Sequence, residues 1–419
     1  MNTRYMTTSS KKVAVIGGGA SGMFAAVHAA ELGADVTLFE PNSRLGKKLA
    51  ITGKGRCNVT NRCSLDEFLL NVPANSKFLY SALSAFSPED TVSFFEGRGV
   101  PLKVERGNRV FPVSDKAGDI VRVLSDACHS LVTVINEKVS SVKVENGSVC
   151  GVFAGGKSYS FDSVILATGG KSYPLTGSDG SGYSIATALG HTLVPPFPAL
   201  VPIEAYGSLC KRLQGLSLKN VSVKFVQKDS GKVVYEDFGE MMFAHFGVTG
   251  PTVLSASSHI RRNDYTGIVL IIDLKPALDE KTLDKRILSD FSVAQNKDFI
   301  NSLGALLPSK LIEPIVELSH IDPRKKVNTI TKEERSTLVH LLKNLSVPLK
   351  APRPIDEAIV TGGGISTKEI RPATMESKLV RGLFFSGEII DVDAYTGGFN
   401  LQIAFSTGYL AAESAVLYT

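Results

Sequence analysis

"KKVAVIGGGASGMFAAVHAAELGADVTLFE", residues 11–40, is the stretch on which the fold turns. Residues 13–16 form a short apolar run ending in glycine, the pattern of a buried parallel strand. Gly17-Gly18-Gly19-Ala20-Ser21-Gly22 follows and fits G-x-G-x-x-G. Residues 20–32 carry apolar side chains at helical spacing and stop at Gly33. Residues 36–39 make a second strand, with Glu40 at its C-terminal end. Strand, glycine turn, helix, strand and acid in this order predict a dinucleotide-binding βαβ unit.

Each residue type has a physical task there. Gly17 permits the tight turn, Gly19 lets backbone approach a pyrophosphate, and Gly22 lets helix and strand pack closely. The helix opening at Ala20 and Ser21 offers free N–H groups and the positive end of the dipole to phosphates. Glu40 is suited to accept hydrogen bonds from a ribose diol and would repel a ribose phosphate. NADP is therefore disfavoured at this site, which leaves FAD or NAD.

Bulk properties exclude several classes. A chain of 419 residues is long enough for two or three domains. Lys and Arg total 46 against 41 Asp and Glu, a weak field at this length. The densest basic run, Arg324-Lys325-Lys326, reads as a solvated helix edge, so no nucleic-acid partner is expected. Five cysteines without a C-x-x-C pair argue against a disulfide framework, a zinc ribbon or a dithiol centre. No His, Asp or Glu grouping has metal spacing, so no metal is expected. The N-terminus lacks an apolar signal core and no apolar run is long enough for a membrane span. A cytoplasmic protein with no membrane partner is the expectation.

The chain returns to the same sheet twice more. "FDSVILATGG" (residues 161–170) is an apolar strand ending in Ala167, Thr168 and Gly169, a turn suited to lie beside a nucleotide. Residues 382–416 read as a strand, the pair Gly387-Glu388, a glycine turn at Gly397 and Gly398, and a long helix opening at Asn400 and Leu401. That helix's dipole would stabilise the negative charge of a reduced flavin. Glu388 is suited to the ribityl hydroxyls. A ligand reaching from the first helix to the last is long, which favours FAD over NAD.

These segments together resemble the two-dinucleotide-binding-domain flavoproteins. Within them, Gly53-Lys54-Gly55-Arg56-Cys57-Asn58-Val59-Thr60-Asn61 is similar to the "GxGRCNxTN" signature of the YhiN/BaiN-like (HI0933-type) FAD-dependent flavoproteins. "GEMMFAHFGVTGP" (239–251), Thr361 to Gly364, "TMESK" (374–378) and residues 387–408 resemble the same family. The resemblance spans nearly the whole chain. It implies that the 53–61 loop runs beside the isoalloxazine and the diphosphate. Lys47, Lys48 and Arg56 would then offset phosphate charge, Gly53 would allow close backbone approach, and Asn58 would bond the flavin's polar edge. A plain glycine-rich surface turn is the alternative. Cys57 beside Arg56 and Lys54 could be a reactive thiolate, yet without a nearby second cysteine it is read as packing near the ring.

"DEAIVTGGGISTKEI" (356–370) gives only G-x-G-x-x-T and breaks at Pro372, so a second Rossmann unit is not expected. The resemblance instead places Gly363 and its neighbours near the flavin. The proline-rich stretch from Pro195 to Pro202 marks a boundary. Beyond it, short alternating strands predict a β-sheet or barrel. Residues 275–349 read as mainly helical, with a capping box at Thr331 to Glu334. The fold class expected is α/β: a discontinuous Rossmann-like FAD-binding domain (1–193 and 354–419), an inserted β domain (194–274 and 346–353) and a helical subdomain (275–345). His245 in "FAHFG" is a candidate acid or base. The competing reading is a hydrogen-bonded structural histidine between two phenylalanines.

The function expected is an FAD-dependent oxidoreductase acting on a small molecule, with NAD(P)H as transient donor and an organic, enone-type acceptor. Two rivals stand beside it: an oxidase of a small amine or aminoketone that uses O₂, and an RNA-associated flavoprotein module. The sequence does not determine the oligomeric state.

Overall fold

The computed structural model describes residues 10–260 and 265–417. Two compact units emerge. One comprises the chain through Ala199 together with everything from Ile355 onward; the other is Leu200–Pro354.

The first unit is built on a five-stranded parallel sheet. Its strands are β1 (Lys12–Ile16), β2 (Asp35–Phe39), β3 (Thr133–Ile135), β4 (Ser163–Leu166) and β5 (Leu383–Phe385). Their order across the sheet is β5-β4-β1-β2-β3. Val13, Ala14 and Val15 have no exposed surface and neither have Val164, Ile165 and Leu166, as strands covered on both faces require. Helix α1 (Ala20–Glu31) crosses from β1 to β2. The C-terminal helix (Phe399–Leu417) packs against it and is buried on nearly every side, which explains its lack of an amphipathic stripe. Phe24 of α1 meets Phe86 and Phe405 with ring centroids 4.9 and 5.3 Å apart. Each such ring contributes roughly 2–3 kcal/mol by leaving water. The chain steps outward from β1 to β2 to β3, then resumes on the other side of β1 at β4. The crevice at the C-terminal ends of β1 and β4 is therefore the topological switch point, where sheets of this kind take ligands.

The antiparallel pair Leu193–Ala199 and Val360–Ile365 also belongs to this unit. The "VTGGGI" stretch is thus a strand paired antiparallel with a segment far earlier in the chain, not a second nucleotide turn. The pairing carries the unit through Ala199, six residues beyond the boundary read from the prolines.

The second unit is a closed six-stranded barrel with helices. Around the barrel lie Ile203–Ala205, Gly247–Thr249, Val233–Ala244, Ser217–Gln227, Ile268–Asp273 and Leu345–Pro352. Alternate residues of Ser217–Gln227 point inward: Val221, Val223 and Phe225 are buried. The helices Glu280–Val293, Ser309–Ser319 and Lys332–Lys343 share one core with the barrel, through Leu283, Leu311 and Leu338. Thr331 caps the last of them in a capping box with Glu334, as its sequence predicts.

Candidate functional site

At the switch point the three glycines differ in the way the motif requires. Gly17 has φ +110°, and a Cβ there would lie 2.5 Å from the Ala167 carbonyl oxygen. A Cβ on Gly22 would lie 1.8 Å from the Gly17 carbonyl oxygen, so only glycine lets α1 seat against the loop. A Cβ on Gly19 meets nothing within 4 Å. The loop is sealed beneath and open above, which leaves room for a ligand against its backbone.

Glu40 is buried at the end of β2. Its Oε2 accepts from the Gly18 N–H at 2.8 Å, and its Oε1 accepts from the Asn42 N–H at 2.9 Å and from Asn42 Nδ2 at 2.6 Å. A carboxylate has about four acceptor positions, so capacity for one hydroxyl remains. Lys47 Nζ donates to Asn42 Oδ1 at 2.6 Å. Ser21 Oγ donates to Ser386 Oγ at 2.9 Å, which ties α1 to the end of β5.

Glu388 gathers three segments. Its Oε2 pairs with Lys48 Nζ at 2.7 Å, and its Oε1 accepts from the Thr361 N–H at 2.7 Å and from Ser172 Oγ at 3.0 Å. Burial pushes this carboxyl up, but Lys48 and the two hydrogen bonds outweigh burial and hold it below the ordinary carboxylate range. Thr361 Oγ1 in turn accepts from the Lys171 and Ser172 N–H groups. A Cβ on Gly170 would lie 2.3 Å from that oxygen, so the turn after β4 and the 360–365 strand touch.

The "TGKGRCNVTN" loop has an unusual backbone. Gly53, Lys54, Gly55 and Cys57 all have positive φ, and two of these four are not glycine. Each non-glycine residue in this region costs on the order of 1–2 kcal/mol, and such strain concentrates at ligand sites. The far end of the loop is anchored. Asn61 Nδ2 donates to the Gly397 carbonyl at 3.0 Å, and Thr60 Oγ1 donates to Gln402 Oε1 at 2.6 Å. A Cβ on Gly398 would lie 2.3 Å from the Thr60 carbonyl oxygen. The loop is thereby held against the start of the C-terminal helix. Asn58 Oδ1 here and Thr168 Oγ1 beside Gly17 are both buried and have no hydrogen-bond partner among the described residues. Buried polar atoms left in this state await a ligand or water. Open space over Gly19 and these two orphaned oxygens fit a bound FAD.

Several candidate residues are occupied differently from expectation. Arg56 was expected to offset phosphate charge. Its guanidinium instead pairs with Glu105 and Asp115 and lies 4.3 Å from the Phe111 ring centroid. Asn400 uses both ends of its amide on the Ala394 backbone, which organises the turn ahead of the helix. Gly363 has φ +79°, and a Cβ there would lie 2.6 Å from the Pro195 carbonyl, so its close antiparallel pairing with the 193–199 strand demands glycine. Leu401 is partly buried at the first turn of the C-terminal helix. Cys57 is fully buried, and burial pushes its thiol up to about 12, so it is no thiolate at neutral pH. His245 is exposed at the turn between Val233–Ala244 and Gly247–Thr249, its ring edge-on to Phe246. No hydrogen bond reaches that ring among the described residues, so the hydrogen-bonded structural reading finds no partner there, although the ring does meet Phe246. The reading from sequence missed Asn42, Ser172 and Gln402. Ser172 lies only two residues past the Ala-Thr-Gly-Gly turn, a proximity that could have drawn notice; nothing local marks Gln402.

Among the described residues no group of side chains could hold a metal ion, and no helix is long and apolar enough to cross a membrane.

The family model described as "HI0933-like protein Rossmann domain" matches residues 11–414. The chain is 32% identical to the 3-dehydro-bile acid delta(4,6)-reductase of Clostridium scindens, over 96% of this chain and 98% of that protein. It is 30% identical to the ribosomal RNA dihydrouridine synthase of Escherichia coli, over 96% of this chain and 97% of that protein. Among solved structures, the 3-ketosteroid delta1-dehydrogenase of Sterolibacterium denitrificans shares the fold, with a TM-score of 0.54 and 13% identity over 98% of this chain and all of that one. With its glycine loop, its switch-point crevice and a family match along almost its whole length, the chain belongs to the HI0933-like family of FAD-dependent flavoprotein oxidoreductases.

Proposed function

We propose that this protein takes hydride from NAD(P)H and delivers it to a carbon–carbon double bond conjugated with a carbonyl group. The supporting observation is the bond that two full-length relatives have in common. A delta(4,6)-reductase of a 3-dehydro substrate saturates double bonds in conjugation with a 3-carbonyl. A dihydrouridine synthase saturates the double bond of a uracil ring, conjugated with its carbonyl. The two substrates differ in most other respects, so this bond is the chemistry most directly inherited by a chain 32% and 30% identical to the two relatives.

FAD supplies the two-electron relay between donor and acceptor. The proposed holding residues are Gly17, Gly19, Ala20, Ser21 and Gly22 at the phosphates, with Lys47 beside them. Glu40 takes the ribose, and Asn58 and Thr168 take polar edges of the ligand. Glu388 and Lys48 keep the surrounding segments in register. Gly397 and Gly398 turn the chain so that the C-terminal helix begins against the 53–61 loop, and its dipole favours negative charge there. His245 remains a candidate proton donor, tested by His245→Ala. We propose a cytoplasmic setting, in keeping with five free cysteines.

The expectation that nucleic acid plays no part loses its support, because a full-length relative is named for ribosomal RNA. Uridine within RNA therefore stands as a second acceptor beside the steroid-like enone. The deciding experiment is an anaerobic titration of the FAD-loaded protein with NADH and with NADPH. Loss of the flavin absorbance band, followed by its recovery on adding a 3-oxo-Δ4 steroid or a uridine-containing RNA, supports the reading. Bleaching by neither nucleotide, with bleaching by an amine and release of peroxide, would establish the oxidase instead.

A further inference from the structure

At the opposite end of the sheet from the glycine loop, the N-terminal ends of β1, β4 and β5 border a recess of about 830 Å³. Lys12 opens β1, and Asp162 and Gly382 immediately precede β4 and β5. A strand of five residues separates the two ends by roughly 16 Å. An occupant of this recess therefore leaves the dinucleotide crevice free.

Its lining is strongly basic. Five cations face two carboxylates among 16 lining residues, whereas the whole chain carries only +5. Both carboxylates are already engaged. Asp162 Oδ2 accepts from the Lys12 backbone N–H at 2.8 Å. Glu376 pairs with Arg371 at 3.2 Å and accepts from the Gly382 N–H at 3.0 Å. Lys12, Lys378 and Arg381 are exposed, and their side chains form no ion pair among the described residues. Two of them are nonetheless positioned. Lys378 Nζ donates to the Lys368 carbonyl at 2.7 Å, and Arg381 Nε donates to Ser148 Oγ at 3.0 Å. Cations held in place by neutral acceptors, in excess of the two lining carboxylates by three charges, are arranged for an external anion.

We propose that this recess docks the phosphodiester backbone of single-stranded RNA. The inference deepens the proposed function, resting on the reading that the conjugated double bond can belong to a uracil ring in RNA. A concave basic recess admits a single strand, whereas an A-form duplex offers a broad surface read across its shallow groove. The three cations without an ion pair among the described residues supply sequence-independent affinity for backbone phosphates, and base recognition stays with the catalytic crevice.

The test uses the FAD-loaded full-length protein and a fluorescein-labelled 20-nucleotide single-stranded RNA, followed by anisotropy across a salt series. The triple variant Lys12→Glu/Lys378→Glu/Arg381→Glu should weaken binding at least about tenfold. It should also lower the slope of log affinity against log salt by about two, as expected for three lost phosphate contacts on a single strand. FAD content and the melting temperature should match the parent, and Lys378→Gln alone should give a smaller loss in the same direction. Parent-like RNA binding by the triple variant overturns the proposal, as does failure of the parent to bind. Complete displacement of the RNA by 1 mM inorganic phosphate or uridine monophosphate, used here as probe concentrations of about that size, also overturns it by assigning the recess to free phosphates. Reduction of a 3-oxo-Δ4 steroid by the same preparation needs no RNA. A docking failure with steroid reduction intact sinks only this inference, and intact docking without any hydride transfer sinks only the proposed function.

Discussion

Glu388 and Lys48, 340 residues apart in sequence, close an ion pair at 2.7 Å. With Thr361 and Ser172 on the other carboxylate oxygen, one side chain joins the short helix Lys47–Ile51, the turn after β4 and the 360–365 strand. Both members are about one-fifth exposed, so the pair is only partly screened by water.

Lys48→Met leaves that carboxylate without its cation and should cost about 2–4 kcal/mol of stability at pH 7. Lys48→Met/Glu388→Gln should cost less than the single change. The pH dependence has a definite sign. The folded carboxyl lies below its unfolded value, so its contribution is complete above the unfolded carboxylate range and is lost as pH falls through the folded value. Urea midpoints of parent and Lys48→Met from pH 7 to pH 3 should therefore converge at the acid end.

Gly22→Ala and Gly19→Ala separate folding from binding. The first drives a methyl into the Gly17 carbonyl, 1.8 Å away, and should destabilise the first unit by about 3 kcal/mol or more. The second meets no protein atom within 4 Å, so its melting temperature without cofactor should be unchanged. Its FAD dissociation constant should rise about tenfold or more, near 1.4 kcal/mol. Unaltered FAD affinity in Gly19→Ala would remove the loop from the binding site.

His28 stacks on Tyr409 with ring centroids 4.0 Å apart, and burial pushes its pKa down to about 4. Its folded value lies below the unfolded one. The neutral ring's contribution is therefore complete above about pH 6.5 and disappears as pH falls toward 4. Denaturation of the parent should lose about 1–3 kcal/mol across that window. His28→Leu should flatten this slope.

Cys57 should resist alkylation by iodoacetamide at pH 8 while half-exposed Cys63 is modified, as read by peptide mass spectrometry. Cys57→Ser should keep the rate of flavin reduction within about threefold of the parent, under about 0.7 kcal/mol. A loss of a hundredfold in a folded, FAD-loaded variant would assign the thiol a chemical role.

The central βαβ unit was legible in residues 11–40 because its signals are local: a continuous apolar run for a strand buried on both faces, and glycines whose spacing follows turn geometry. The capping box at Thr331 and the barrel's alternating strands are local in the same sense. Tertiary structure alone decided which distant partners each polar group meets. Arg56 turned to Glu105 and Asp115 because an antiparallel pairing, Leu102–Glu105 with Arg109–Pro112, brings those carboxylates alongside it. Gln402 holds Thr60 and Thr91 from a helix more than 300 residues away. The basic recess escaped a search for dense Lys and Arg runs, since residues 11–12 and 371–381 become neighbours only when β1, β4 and β5 align in parallel. Sequence determines what is set by hydrogen bonds and periodicity within a few residues. Charge compensation depends on distance through space, and only the folded chain defines that distance.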